Sequence, residues 1–212
     1  MFVDHVRDHL PRPVSDTMPP SSSALRVVRG ADRPHAGSGT PVADLVALAR
    51  DGDPIAFRLL VERYYPRMLR FAGNMGLGRE DAEEAVQDAL VRAHGALDRF
   101  DTDAPFEPWL FRILANCCRT AHGRGRWWRR LRADAPLDLA PARDTRPDAE
   151  WSEEIRRALD TLPREQREAF LLRHVDGMDY DAMMTVTGAG LSALKMRVKR
   201  ACDALRAQLG GL

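Results

Sequence analysis

From about residue 53 onward, apolar positions recur at three- and four-residue spacing, and no alternating strand pattern of useful length appears. The fold class this predicts is all-α. Asp53 and Pro54 offer an N-cap and a first-turn proline, after which Phe57, Leu60, Val61, Tyr64, Met68, Leu69 and Ala72 fall on one helix face. A second helix is expected over about Arg79 to Leu97. It opens with acids suited to the positive end of a helix dipole, buries Ala82, Ala85, Val86, Ala89, Leu90, Ala93 and Leu97, and leaves its outer face acidic. A third helix begins near Pro108, turning Trp109, Leu110, Ile113 and Leu114 inward and Arg112 and Arg119 outward.

The periodicity stops and then resumes in a second segment. A helix is predicted from about Asp148 to Thr161, Pro163 restarts the chain in another to about Val175, and Gly177 closes it. A short helix from Tyr180 to Val186, a tight turn at Gly188-Ala189-Gly190 and a long helix from Leu191 have the spacing of a helix-turn-helix. In that last helix Leu191, Leu194, Val198, Ala201, Leu205 and Leu209 form one apolar stripe. Lys195, Met196, Arg197, Lys199 and Arg200 are pushed to its flanks and outer face, as candidates for DNA contact.

Composition sets the limits of these two segments. Residues 1–41 are rich in Pro, Ser and Gly and read as a disordered tail, and a polar, proline-interrupted stretch over 129–148 reads as a flexible linker. Two small helical domains are therefore expected, over 42–128 and 149–212. No stretch approaches the ~20 apolar residues of a membrane span, and the first residues carry Asp4 and Asp8 without an apolar secretory core. No membrane insertion and a cytoplasmic location are the expectation. Cys117, Cys118 and Cys202 make an odd count, which favours reduced thiols; a metal site joining Cys117 and Cys118 to His122 lacks paired CxxC spacing and a fourth ligand.

The formal net charge of +1 conceals strong segregation. Residues 79–88 carry Glu80, Asp81, Glu83, Glu84 and Asp88 against Arg79 alone, whereas 108–133 hold seven arginines and no acid. Blocks of opposite sign point to two kinds of partner, one basic and one polyanionic. Enzyme signatures are thin: there is no P-loop, no GxSxG elbow and no HExxH pair. The run from Gly188 to Ala193 fits the GxGxxA form of a dinucleotide fingerprint, but that motif needs a preceding strand, a crossover helix and a second parallel strand with an acid about 20 residues on. The preceding Tyr180 to Thr185 is too short and too polar for such a strand, no second strand fits, and the only later acid, Asp203, lies inside the helix, so neither a catalytic site nor a cofactor is expected. The glycines are explained by the turn, with Gly190 as an N-cap.

Three stretches resemble one family. Ala82-Glu83-Glu84-Ala85-Val86-Gln87-Asp88 is similar to the second helix of sigma region two, and Phe106 to Asn116, with its Trp-Leu, Arg-Ile and Asn in order, resembles that family's promoter-melting helix. Leu162-Pro163 with Gln166-Arg167, the Gly177 turn and the run Ala193 to Ala201 resemble sigma region four. The chain is thus identified as resembling sigma factors of the extracytoplasmic-function (ECF) type, since the extra regions of primary sigma factors are missing.

The resemblance implies a region-two helical bundle and a region-four helix-turn-helix that serve core RNA polymerase and promoter DNA. Glu83, Glu84, Gln87, Asp88 and Arg92 would dock on the polymerase clamp helices, and region four would meet the flap. Trp109, Arg112, Asn116 and Arg119, with the loop from Asp98 to Phe106, would hold the opened −10 element, although the Trp109 ring also suits the core. Arg124 and Arg126, in the run from Gly123 to Trp128, would add a flexible arginine-rich contact. Ser192, Ala193, Lys195, Met196, Arg197, Lys199 and Arg200 would sit in the major groove of the −35 element. An anti-sigma factor is a further implied partner. Met184, Ala182 and Thr120 depart from the family pattern, which bears on helix crossing and promoter preference. The alternative is a helix-turn-helix regulator that never joins polymerase, which accounts for the C-terminal segment but not for the acidic helix.

Overall fold

The computed structural model describes residues 39–132 and 153–209, with side chains described over 39–123 and 154–209; the predicted tail up to residue 38 and most of the predicted linker lie outside them. All regular structure among the described residues is helical. Helix α1 (Val42–Arg50), which the periodicity did not single out, buries Leu45 and Val46 and leads into the Asp53 cap. Asp53 Oδ1 accepts the backbone N–H groups of Ile55 at 2.8 Å and Ala56 at 3.3 Å, satisfying two of the orphan donors that open α2 (Pro54–Asn74). The predicted face of α2 is inward: Leu60, Tyr64, Met68 and Ala72 are buried, and Phe57, Val61 and Leu69 partly so.

Helix α3 (Arg79–Ala96) ends in a 3₁₀ turn over Leu97–Arg99 and buries its alanine-rich stripe, whose small side chains let it lie close to its neighbours. Helix α4 (Phe106–Arg132) runs longer than predicted, starting two residues before Pro108 and continuing through the residues expected to begin the linker. The reason is local. Gly123 and Gly125 weaken a helix by about 1 kcal/mol each without breaking it, and no proline follows until Pro136. The Gly123–Trp128 run is accordingly helical rather than a flexible strap.

In the second segment α5 (Glu153–Thr161) is followed by α6 (Arg164–Phe170), which widens into a π turn over Leu171–Val175. The predicted single helix to Val175 is thus two kinds of helix, and the Asp176 N–H reaches back to the Leu171 carbonyl at 2.9 Å. Gly177 closes it at φ +70°. Then come α7 (Tyr180–Thr187), capped by the Asp179 carboxylate on the Ala182 N–H, and α8 (Leu191–Leu209). Gly188 turns the chain between them in the left-handed region at φ +72°, a conformation that costs glycine little. Gly190 contributes its carbonyl to the Leu194 N–H, opening α8.

The buried apolar residues of both segments form one continuous core. Helix α7 packs along α4, and α6 along α8, so the first half and the second are in direct contact.

Candidate nucleic-acid and partner interfaces

The predicted partner-facing residues share one face of α3. Glu84, Gln87 and Arg92 are exposed, Glu83 and Asp88 half-buried, because the alanine stripe turns the opposite side inward. Two of the acids are engaged along the helix, Glu83 by Arg79 at 3.0 Å and Asp88 by Arg92 at 3.8 Å, which are solvent-screened pairs of little energetic weight. Amid these polar side chains Val91 stands 73% exposed, a large apolar group that the sequence reading passed over. Its signal was available: it is an apolar residue at a position the helical period assigns to the acidic face. An apolar centre ringed by charge is the usual make-up of a protein-contact surface.

On α4 the residues at 109, 112, 116 and 119 fall on one stripe, while Leu110, Phe111, Leu114, Ala115, Cys117, Cys118 and Ala121 fill the other. Arg112 and Asn116 are exposed. Trp109 is half-buried in an aromatic cluster, 4.7 Å from Phe100 and 5.4 Å from Phe106, so its ring does belong to the packing. Arg119 is less free than an outward arginine should be. It donates to Asn116 Oδ1 at 2.5 Å and to Glu168 Oε1 at 2.6 Å, and the Glu168 side chain is only 4% exposed. The backbone of Arg124 and Arg126 continues α4; their side chains lie outside the described residues.

The loop between α3 and α4 exposes Asp98, Asp101 and Asp103, and Asp101 accepts the Asp103 N–H at 3.0 Å. The same turn also exposes Arg99, 3.5 Å from Asp98.

Helix α8 presents Ser192, Ala193, Lys195, Met196, Lys199 and Arg200 to solvent, with Met196 49% exposed. Arg197 is half-buried and pairs with Glu165 at 2.6 Å, Lys199 with Asp203 at 2.9 Å, and Lys195 lies 5.8 Å over the Tyr180 ring. The cations are therefore steadied by neighbours on α6, α7 and α8 itself. Leu194, Val198, Ala201 and Leu205 are buried as the stripe requires, although Leu191 is 41% exposed at the helix start.

No cluster of His, Cys, Asp and Glu among the described residues could hold a metal ion. Cys117 and Cys118 are core residues, and burial pushes the Cys118 thiol far up, keeping it protonated. His122 Nε2 lies 2.9 Å from the Met75 carbonyl, and Cys202 Sγ lies 3.5 Å from His174 Nε2. No helix among the described residues is long and apolar enough to cross a membrane.

Comparison with known proteins accounts for both halves. Residues 60–129 match the family Sigma-70 region 2, and residues 152–205 match Sigma-70, region 4. The chain is 33% identical to the ECF RNA polymerase sigma factor SigM of Mycobacterium tuberculosis, over 80% of this chain and 85% of that one. It is 30% identical to the ECF RNA polymerase sigma-E factor of Escherichia coli K12, over 76% and 90%. Among solved structures it resembles CnrH, in a complex with the cytosolic domain of CnrY, with a TM-score of 0.62, 30% identity and coverage of 80% of this chain and 97% of that one. It also resembles the sigma factor RpoE of Bartonella quintana, in a complex with the anti-sigma factor NepR, with a TM-score of 0.58, 27% identity and coverage of 73% and 96%. A regulator built only on the helix-turn-helix would leave the match over 60–129 without explanation. This chain belongs to the ECF RNA polymerase sigma factors.

Proposed function

We propose that residues 42–128 and 149–212 divide the work of promoter-specific initiation as two domains. Glu83, Glu84, Gln87, Asp88 and Arg92 on α3, with Val91 at their centre, dock on the clamp helices of core RNA polymerase. Arg112, Asn116 and Arg119, with Arg124 and Arg126 further along α4 and Trp109 positioning the stripe, hold the melted −10 element. Residues Ser192 to Arg200 read the −35 element in the major groove while region four also meets the polymerase flap. Bond making stays with the polymerase, and the chain works in the cytoplasm. Because the resembling sigma factor RpoE is seen with the anti-sigma factor NepR, and CnrH with CnrY, an anti-sigma protein is an expected partner here too.

One observation carries this reading: the acidic face of α3 with its exposed apolar centre, and the basic faces of α4 and α8, belong to one chain matching regions two and four. The test is transcription with purified core polymerase. Glu84→Lys with Asp88→Lys should abolish co-purification with core enzyme, and Lys195→Ala with Arg197→Ala should abolish dependence on the −35 sequence in run-off assays. Each good base-edge contact is worth ~1–3 kcal/mol of discrimination, so losing two should lower specificity at least tenfold. Unchanged start-site selection by either pair would refute its assignment.

A further inference from the structure

Four large apolar side chains stand exposed among the described residues: Ile55, Val91, Leu191 and Met196. Val91 is the centre of the acidic α3 face, and Ile55 lies in the first turn of α2. Leu191 is the first member of the α8 stripe, uncovered because the helix begins there. Met196 has no such explanation. At about 100° per residue it lies almost diametrically opposite Leu194, Val198, Ala201 and Leu205, which puts it on the outermost line of α8, 49% exposed.

The surroundings of Met196 are polar. Ser192 and Arg200, one turn to either side, and Lys195 and Lys199 beside it are all exposed. Three cations nearby are drawn to partners off the helix or further along it. Lys195 lies 5.8 Å over the Tyr180 ring of α7, Arg197 reaches Glu165 of α6 at 2.6 Å, and Lys199 meets Asp203 at 2.9 Å. The thioether is left standing between them at the point of furthest reach.

A thioether gains little from a phosphate, since it carries neither charge nor a hydrogen to donate. On a face whose cations suit a polyanion, an apolar group on the outermost line meets the floor of the major groove rather than the phosphates at its walls. The base edges there offer donors, acceptors and one apolar group, the C5-methyl of thymine. An unbranched, polarisable side chain can settle on that methyl without a demanding geometry.

We propose that Met196 is a specificity-determining residue that recognises a thymine of the −35 element by its C5-methyl. This rests on the placing of α8 in the −35 major groove and adds the chemistry of one base to it. Methyl and thioether leave water together, so removing either loses the same contact, worth about fourfold in affinity, the equivalent of one buried methylene. Lys195, Lys199 and Arg200 add to how tightly the element is held, whereas Met196 selects one of its bases.

The test isolates the methyl, because deoxyuridine keeps every hydrogen-bonding group of thymine. Holoenzyme assembled from core polymerase and the full chain selects its −35 sequence from a promoter pool randomised at that element. Each thymine of the selected sequence, on either strand, is then replaced singly by deoxyuridine. Wild-type affinity should fall about fourfold at one position, and Met196→Ala should be indifferent to the replacement there. Lys199→Ala should bind more weakly and keep the deoxyuridine effect. Circular dichroism and binding to core polymerase should stay at wild-type level in Met196→Ala. A selected element without thymine, or equal responses of wild type and Met196→Ala at every position, would overturn the proposal and leave the −35 reading intact. Loss of core binding by a folded Met196→Ala would also overturn it, marking the side chain as a polymerase contact. Failure of the pool to yield any −35 preference would sink the placing of α8 itself, and the proposal with it.

Discussion

Asp176 offers a test in which the intuitive expectation and the structural one have opposite signs. Its side chain is 1% exposed, Oδ1 is held by Arg67, and Oδ2 is buried with no hydrogen-bond partner among the described residues. Burial pushes the carboxyl up from 3.8 to about 6, against the pull of Arg67 and Arg70 on α2, with Glu107 on α4 adding to the rise. In the unfolded chain the group returns to solvent and to its ordinary value near 3.9. The folded form therefore binds this proton more tightly than the unfolded form does, and linkage fixes the direction. Above about pH 6 the ionised carboxylate weighs against folding by about 3 kcal/mol, and that burden lifts as the pH falls through 6 toward 4. From pH 7 to pH 5 this group alone should raise stability by on the order of 1 kcal/mol. Asp176→Asn should flatten this contribution and leave the chain at least as stable at pH 7. Urea midpoints read from pH 5 to 8 on wild type and variant measure both. A loss of stability toward pH 5 that Asp176→Asn abolishes would refute the reasoning, since it would mean that the Arg67 pair outweighs the cost of burying the carboxylate.

Two further predictions concern the scaffold. Phe111 is fully buried, edge-on to Phe71 at 5.6 Å and beneath the Arg67 guanidinium at 5.0 Å; Phe111→Ala should cost about 3–5 kcal/mol, read as a fall in the urea midpoint. Gly188→Ala meets no neighbouring atom within 4 Å but must hold φ +72°, so it should cost about 1–2 kcal/mol of stability with −35 preference retained. A larger loss, or a changed promoter preference, would show that this turn does more than reverse the chain.

Most elements were legible because helices are local, although α1 and the π turn were not. The α8 stripe and the α3 alanine face follow from spacing alone, and Leu194, Val198, Ala201, Leu205, Ala82, Ala85, Ala89 and Ala93 are all buried where the period puts them. Caps were legible for the same reason, since Asp53 precedes its donors by two and three residues. What failed to show was the pairing between halves. Arg119 and Glu168 are 49 residues apart, and Arg67 and Asp176 109 apart, with no periodicity to link them. Asp176 in front of Gly177 has the appearance of a solvated turn acid, and only the π turn and the approach of α2 make it a buried one.

Charge segregation carries more meaning than a count of outside partners can extract from it. The acidic block on α3 and the basic stretch of α4 point to two surfaces for two partners, but acids of the second half also meet cations of the first. Glu168 takes Arg119 at 2.6 Å and Asp176 takes Arg67 at 2.9 Å, while Arg112 stays exposed on the same stripe as Arg119. An intramolecular pair pays no translational cost of association. Arg119 can therefore reach a phosphate only by exchanging it for a buried carboxylate, an exchange the exposed Arg112 does not face, and two arginines of one stripe stand at different costs for the same kind of contact.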